Sequence, residues 1–149
     1  MKNNNALFYT CSLIEYIGRL QKLERASVVK ALGFDAVKRI YIDSEVLHCE
    51  MIAKIADEVV NILSVPIGDF DNVTSCKYEV PDYWTIGEVY ERLIEDVSGE
   101  NYDTDVIIKN LIEVYSSWIS DAISMYNSDF FYQSRDYIFA CYNAGEVLE

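Results

Sequence analysis

The chain has one histidine, two prolines and six glycines in 149 residues, and its four cysteines are far apart. Cys11, Cys49, Cys76 and Cys141 form no C-x-x-C pair and, with a single histidine, offer no zinc-type ligand spacing. They read as free thiols, mostly buried, in a reducing compartment. No G-x-x-x-x-G-K, G-x-G-x-x-G or G-x-S-x-G run is present, so phosphate-cradling loops and nucleophile elbows have no support. No uncharged stretch approaches the roughly 18 to 20 apolar residues of a membrane span. The start Met1-Lys2-Asn3-Asn4-Asn5 leads into no signal-peptide core, and a cytoplasmic location is expected. No catalytic residue, metal or cofactor is assigned on these grounds.

Positive charge is the scarcest resource of the second half. Residues 1–63 hold eight Lys/Arg against eight Asp/Glu, whereas residues 64–149 hold four against seventeen, so the second stretch supplies the whole net charge of −13. A field of that sign repels phosphate backbones and anionic membranes and attracts basic surfaces. Half of the residues are apolar, which argues against disorder. A chain of this length buries a real core without staples, and one domain over 1–147 is expected. Leu148-Glu149 reads equally well as native or as a vector-derived pair and is left out of the fold reasoning.

Six or seven segments carry the helical period. The first, about 5–23, places Leu7, Cys11, Ile14 and Ile17 on one face, with Gly18 allowing close approach of a neighbour. A short helix over about 25–32 ends at Gly33, and Asp35 caps the next. Val37, Ile40, Tyr41, Ser44, Leu47, His48 and Met51 form its stripe. Ile52, Ile55, Ala56, Val59 and Leu63 continue the pattern, and periodicity does not decide whether a break falls near Cys49.

Residues 64–83 form a connecting segment with both prolines and no helical period. Alternation over 73–80 leaves room there for a small β element. The acidic part, 84–147, opens with Thr85-Ile86-Gly87-Glu88, which fits a capping box. Ile86, Val89, Tyr90, Leu93, Ile94 and Val97 follow as a clean stripe. From Asp103 or Thr104 an apolar face through Ile108, Leu111, Ile112, Tyr115, Trp118, Ile119, Ala122, Ile123 and Tyr126 predicts one helix of about six turns. A last helix is expected from about Asp129 to Asn143, closed by Gly145. The fold class is therefore all-α, six or seven helices in a bundle-like array.

His48-Cys49-Glu50 juxtaposes the only histidine with a thiol and a carboxylate. Adjacent helical side chains diverge by about 100°, however, so His48 does not activate Cys49 and is assigned to the core or a domain contact. Asp69-x-Asp71 opens like a calcium loop, but Val73, Thr74 and Val80 stand where that loop needs an oxygen donor, Gly and Glu. Residues 22–39 are locally +3 through Lys22, Arg25, Lys30, Lys38 and Arg39, which keeps weak nucleic-acid binding as a minor reading. The usual polar faces of amphipathic helices explain those charges better, and the acidic half opposes a duplex. Asp129, Phe130, Phe131, Tyr132 and Asp136 form the candidate interaction site, aromatics in an acidic setting that suit a basic partner with apolar pockets.

Phe8, Leu13-Ile14-Glu15-Tyr16, and Ile40-Tyr41 followed by Val46-Leu47-His48 carry a resemblance over about residues 1–55. They resemble a family of short uncharacterised Firmicute proteins with the pattern F-x-x-x-C/F-x-I-E-x-Y and then Y-x-x-L-H. Cys49 departs from it, since the family shows Thr there, and the acidic half lies outside it. Such proteins are often encoded beside predicted ADP-ribosyltransferase-like proteins, and the resemblance implies an antitoxin or accessory role. The expected function is a non-enzymatic interaction module, antitoxin-like or immunity-like, that binds a basic protein partner encoded nearby. The alternative is an enzyme with a polar site between the two halves.

Overall fold

The computed structural model describes residues 4–149, which hold seven α-helices, one 3-10 turn and no strand. α1 (Asn5–Gln21) begins where Asn4 Oδ1 accepts the Leu7 amide at 2.9 Å, and it ends at Lys22 in the left-handed conformation. It lacks a solvated face. Besides the expected stripe, Tyr9, Thr10, Ser12, Leu13 and Glu15 are buried, so α1 is the central helix. α2 (Arg25–Leu47) packs against one side of it and α4 (Tyr83–Ser98) against another, while α3 (Ile52–Leu63) adds a smaller contact.

α2 consists of two helical pieces that meet at the expected position: Gly33 sits at φ 79° and ψ 168°, a region open in practice only to glycine, and kinks the chain between them. The chain then breaks at His48–Met51 before α3, which settles the position left open near Cys49.

The expected β element over 73–80 does not form. Asp71 Oδ1 accepts the amides of Val73 and Thr74 instead, Thr74 Oγ1 bonds Asp71 Oδ2 at 2.6 Å, and Ser75 Oγ donates to the Asp71 carbonyl. A side chain has taken the donors a neighbouring strand would need. The segment is pinned elsewhere by Gly68 N–H to Gln21 O (2.8 Å), Phe70 N–H to Lys22 O (2.9 Å) and Lys77 N–H to Asn127 Oδ1 (2.7 Å).

The capping box at Thr85 is also corrected. α4 starts three residues earlier, with Asp82 Oδ1 accepting the Thr85 amide at 2.7 Å, and Glu88 pairs with Arg92 rather than reaching back. The earlier start lets Tyr83 meet Tyr16 edge-on and Trp84 meet Phe8, with centroids 5.1 and 5.5 Å apart. At Gly87 a Cβ would lie 2.1 Å from Ser12 Oγ, so α1 and α4 approach almost backbone to backbone. The charge boundary near residue 63 is therefore not a packing boundary: the central helix of the neutral part makes its largest contact with a helix of the acidic part.

The six-turn helix is two helices, α5 (Thr104–Tyr115) and α6 (Trp118–Ser124). Ser117 Oγ donates to Val114 O and accepts from Ile119 N–H, ending one helix and capping the next. The stripe stays in the core across the break, except that Ile112, Trp118 and Ala122 are only half-buried. The last expected helix is divided too, into a 3-10 turn, Phe130–Tyr132, and α7 (Arg135–Ala144), which Ser134 caps and Gly145 closes. No helix among the described residues is long and apolar enough to cross a membrane.

Candidate functional site

The site begins with a carboxylate in the core, at a position outside the expected apolar stripe of α1. Glu15 is fully buried in α1, and the Arg25 guanidinium holds it in a two-pronged pair, Nε to Oε1 at 2.8 Å and Nη2 to Oε2 at 2.9 Å. Arg19, one turn along α1, donates to Oε2 at 2.8 Å, and the Tyr126 hydroxyl donates to the same oxygen. Arg25 also reaches Asn72 Oδ1 (3.1 Å) and the Leu23 carbonyl (2.7 Å), while Asn72 Nδ2 donates to Ser124 O at 2.8 Å. Burial pushes the Glu15 carboxyl up, but Arg25, and after it Arg19 and Tyr126, more than reverse this and hold it below the usual carboxylate range. Burial likewise opposes the charge on Arg25, and Glu15 overcomes it. The Tyr126 hydroxyl is raised to about 12 by burial and by Glu15, so it stays protonated and donates.

This network is the floor of an acidic surface. Asn72, Tyr126 and Phe70 line a depression of about 440 Å³ whose walls carry Glu24, Asp69, Asp71 and Asp121. A second depression of about 490 Å³ shares Tyr126 and Asn127 with it and adds Glu79, Asp129, Tyr78, Phe131 and Tyr132. Neither is lined by a lysine or an arginine. Below them the network's two arginines and one glutamate leave one net positive charge under the acidic rim.

Of the candidate interaction residues, the structure brings together Asp129, Phe131 and Tyr132 on the second depression. Tyr132 is 83% exposed, and Phe131 stands edge-on to Tyr126 at 6.0 Å. Phe130 points inward instead, buried against Trp118 and Tyr137, where it holds the turn in place. Asp136 is exposed on the first turn of α7 but lines neither depression.

His48 also moves from its expected place, for it caps the exposed end of α2 and is not in the core. Cys49 beside it is exposed, while Cys11 and Cys141 are buried as expected. In the basic stretch, Arg25 is consumed in the core and Lys38 pairs with Asp105 at 2.7 Å, which leaves Lys22, Lys30 and Arg39 at the surface. The residues that periodicity missed are Glu15, Asn72, Asp121 and Glu24. Glu15 alone carried a signal, a carboxylate set between Leu13-Ile14 and Ile17 with Arg19 one turn on. No protein-family model, curated protein or solved structure matches the chain.

Proposed function

We propose that this protein is a non-enzymatic interaction module, antitoxin-like or immunity-like, whose acidic face receives a basic segment of a partner protein. The observation that carries this reading is the pair of adjoining depressions, with six carboxylates, exposed aromatics at the rim and no lining cation. Exposed Tyr132 and Tyr78 supply apolar contact area with a hydroxyl that tolerates water, a combination suited to the edge of an interface. The carboxylates steer a basic partner from a distance, which affects the rate of association more than the final affinity. The fixed floor of Asn72 and Tyr126 leaves little to order on binding.

An enzyme with its polar site between the halves is the second reading, and the network weakens it. Each oxygen of Glu15 is already engaged by arginine, and a carboxylate held below its usual range is a poor base. The deciding experiment recovers the partner from native cells and measures association kinetics for Asp121→Asn/Asp129→Asn beside Lys30→Gln/Arg39→Gln. The acidic pair is expected to slow capture and the basic pair to leave it unchanged.

A further inference from the structure

At the opposite end of α1 from this face lies a groove of about 860 Å³, within the size range of small-molecule sites. Its walls are Phe8 and Tyr9 from the first turns of α1, Tyr41, Glu45 and His48 from the last turns of α2, and Trp84 from the start of α4. It shares no residue with the acidic depressions. We propose that this groove binds a small organic cation of the quaternary ammonium class, held by the aromatic walls and by the Glu45 carboxylate.

Four aromatic side chains converge on the groove, and no lysine or arginine lines it. Aromatic faces are negative and attract a cation that is weakly hydrated. A trimethylammonium group has no N–H donors and is weakly hydrated, so it suits the ring walls, whereas a primary ammonium would draw on the polar lining of Asn5, Ser44 and Glu45 instead. An anion meets ring faces, Glu45 and a protein of net charge −13, so it is disfavoured.

The walls are fixed before any ligand arrives. Asn4 caps α1 through Oδ1 and donates through Nδ2 to the Tyr41 hydroxyl at 2.8 Å, tying the two helix ends together across the groove. Trp84 lies 5.5 Å from Phe8 and 4.9 Å from Tyr83, which in turn packs on Tyr16 of α1. Tyr9 is 5% exposed, and its hydroxyl is buried with no hydrogen-bond partner. Burial raises that hydroxyl to about 12, so it stays protonated at neutral pH.

The probe is choline, titrated into the full chain with tryptophan fluorescence as the readout. Trp84 is in the wall, and a Trp118→Phe background removes the other tryptophan. The control is 3,3-dimethylbutan-1-ol, the neutral isostere. Choline is expected to saturate the signal and to bind at least tenfold more tightly than the isostere. Glu45→Gln and Tyr41→Leu are each expected to weaken choline by roughly three- to thirtyfold, the range that one charge or one ring face contributes, while Tyr41→Phe keeps most of the affinity. Glu45 is exposed, so its variant tests the proposal even if Tyr41→Leu fails to fold. Nε-trimethyllysine carries the same head group on an amino-acid side chain, and the tighter of the two ligands identifies the natural carrier. Equal binding of the isostere, the absence of saturation, or full affinity in Glu45→Gln with Tyr41→Leu would overturn the proposal. The acidic-face reading would stand in any of those cases, since it rests on other residues.

Discussion

The side chain of Arg25 lies directly on Gly18, so close that a Cβ added to the glycine would come within 2.5 Å of Arg25 Cδ and 2.7 Å of Nε. The absent side chain is what admits a guanidinium to the core beside Glu15. Gly18→Ala therefore forces the buried arginine off its carboxylate, and a loss of about 3 to 5 kcal/mol is expected, as for breaking a buried pair. Urea denaturation gives the number. A loss below about 1 kcal/mol would mean that the core accommodates the methyl without moving Arg25.

Glu15→Gln leaves Arg25 buried and unneutralised, with an expected cost of about 3 to 5 kcal/mol. Arg19→Gln should cost less, because the Arg19 side chain keeps 17% of its surface in water while that of Arg25 keeps none. The pH dependence follows from the lowered Glu15 carboxyl. Its contribution is complete above the usual carboxylate pKa and is lost as pH falls through the lower folded value. Glu15→Gln should therefore lose part of the acid-induced unfolding seen in the wild type. Chemical denaturation across the acid range tests this, and an unchanged acid limb would place the titrating group elsewhere.

Glu91 behaves in the opposite sense. Burial, then a hydrogen bond shared with Glu95, then the negative charges of Glu95 and Glu88 raise it to about 8. Arg135 holds Glu95 Oε1 at 3.4 Å, while Oε2 is buried with no partner unless Glu91 donates a proton to it. Between the usual carboxylate pKa and about 8 the folded protein keeps a proton that the unfolded chain has released, so stability falls as pH rises. Glu91→Gln is expected to flatten that slope and to be the more stable form at pH 9. Melting temperatures at pH 6 and pH 9 for both proteins supply the comparison, and parallel slopes would contradict the shared proton.

The start of α4 offers a local test. Asp82→Ala removes the side chain that accepts the Thr85 amide and should cost about 1 kcal/mol, whereas Thr85→Ala should change little. The reverse order would restore the capping box.

Helix content was legible because apolar spacing is a local property. The stripe from Ile86 to Val97 is buried or half-buried as spaced. The break at Ser117 was not legible, since Tyr115 and Trp118 keep the same helical phase on either side of it. A side-chain hydrogen bond, not the pattern, ends the helix there. Alternation over 73–80 suggested a strand, but a strand needs a neighbour, and Asp71 and Asn127 took its donors. At the candidate site the aromatic run pointed to Phe131 and Tyr132. It could not tell that Phe130 turns inward, because neighbours in a run face different ways. Glu24, Asp69 and Asp121 reach one depression from three distant segments, and no pattern within a segment reveals such a meeting.

The central claim is that the acidic face captures a basic partner, and association kinetics of the recovered partner at low and physiological salt test it most directly. Asp121→Asn/Asp129→Asn is expected to slow association roughly fivefold or more at low salt, with the difference shrinking past about 0.15 M, where the screening length is near 8 Å. Lys30→Gln/Arg39→Gln is expected to associate at the wild-type rate. An association rate that ignores the acidic pair and follows the basic pair would contradict the account.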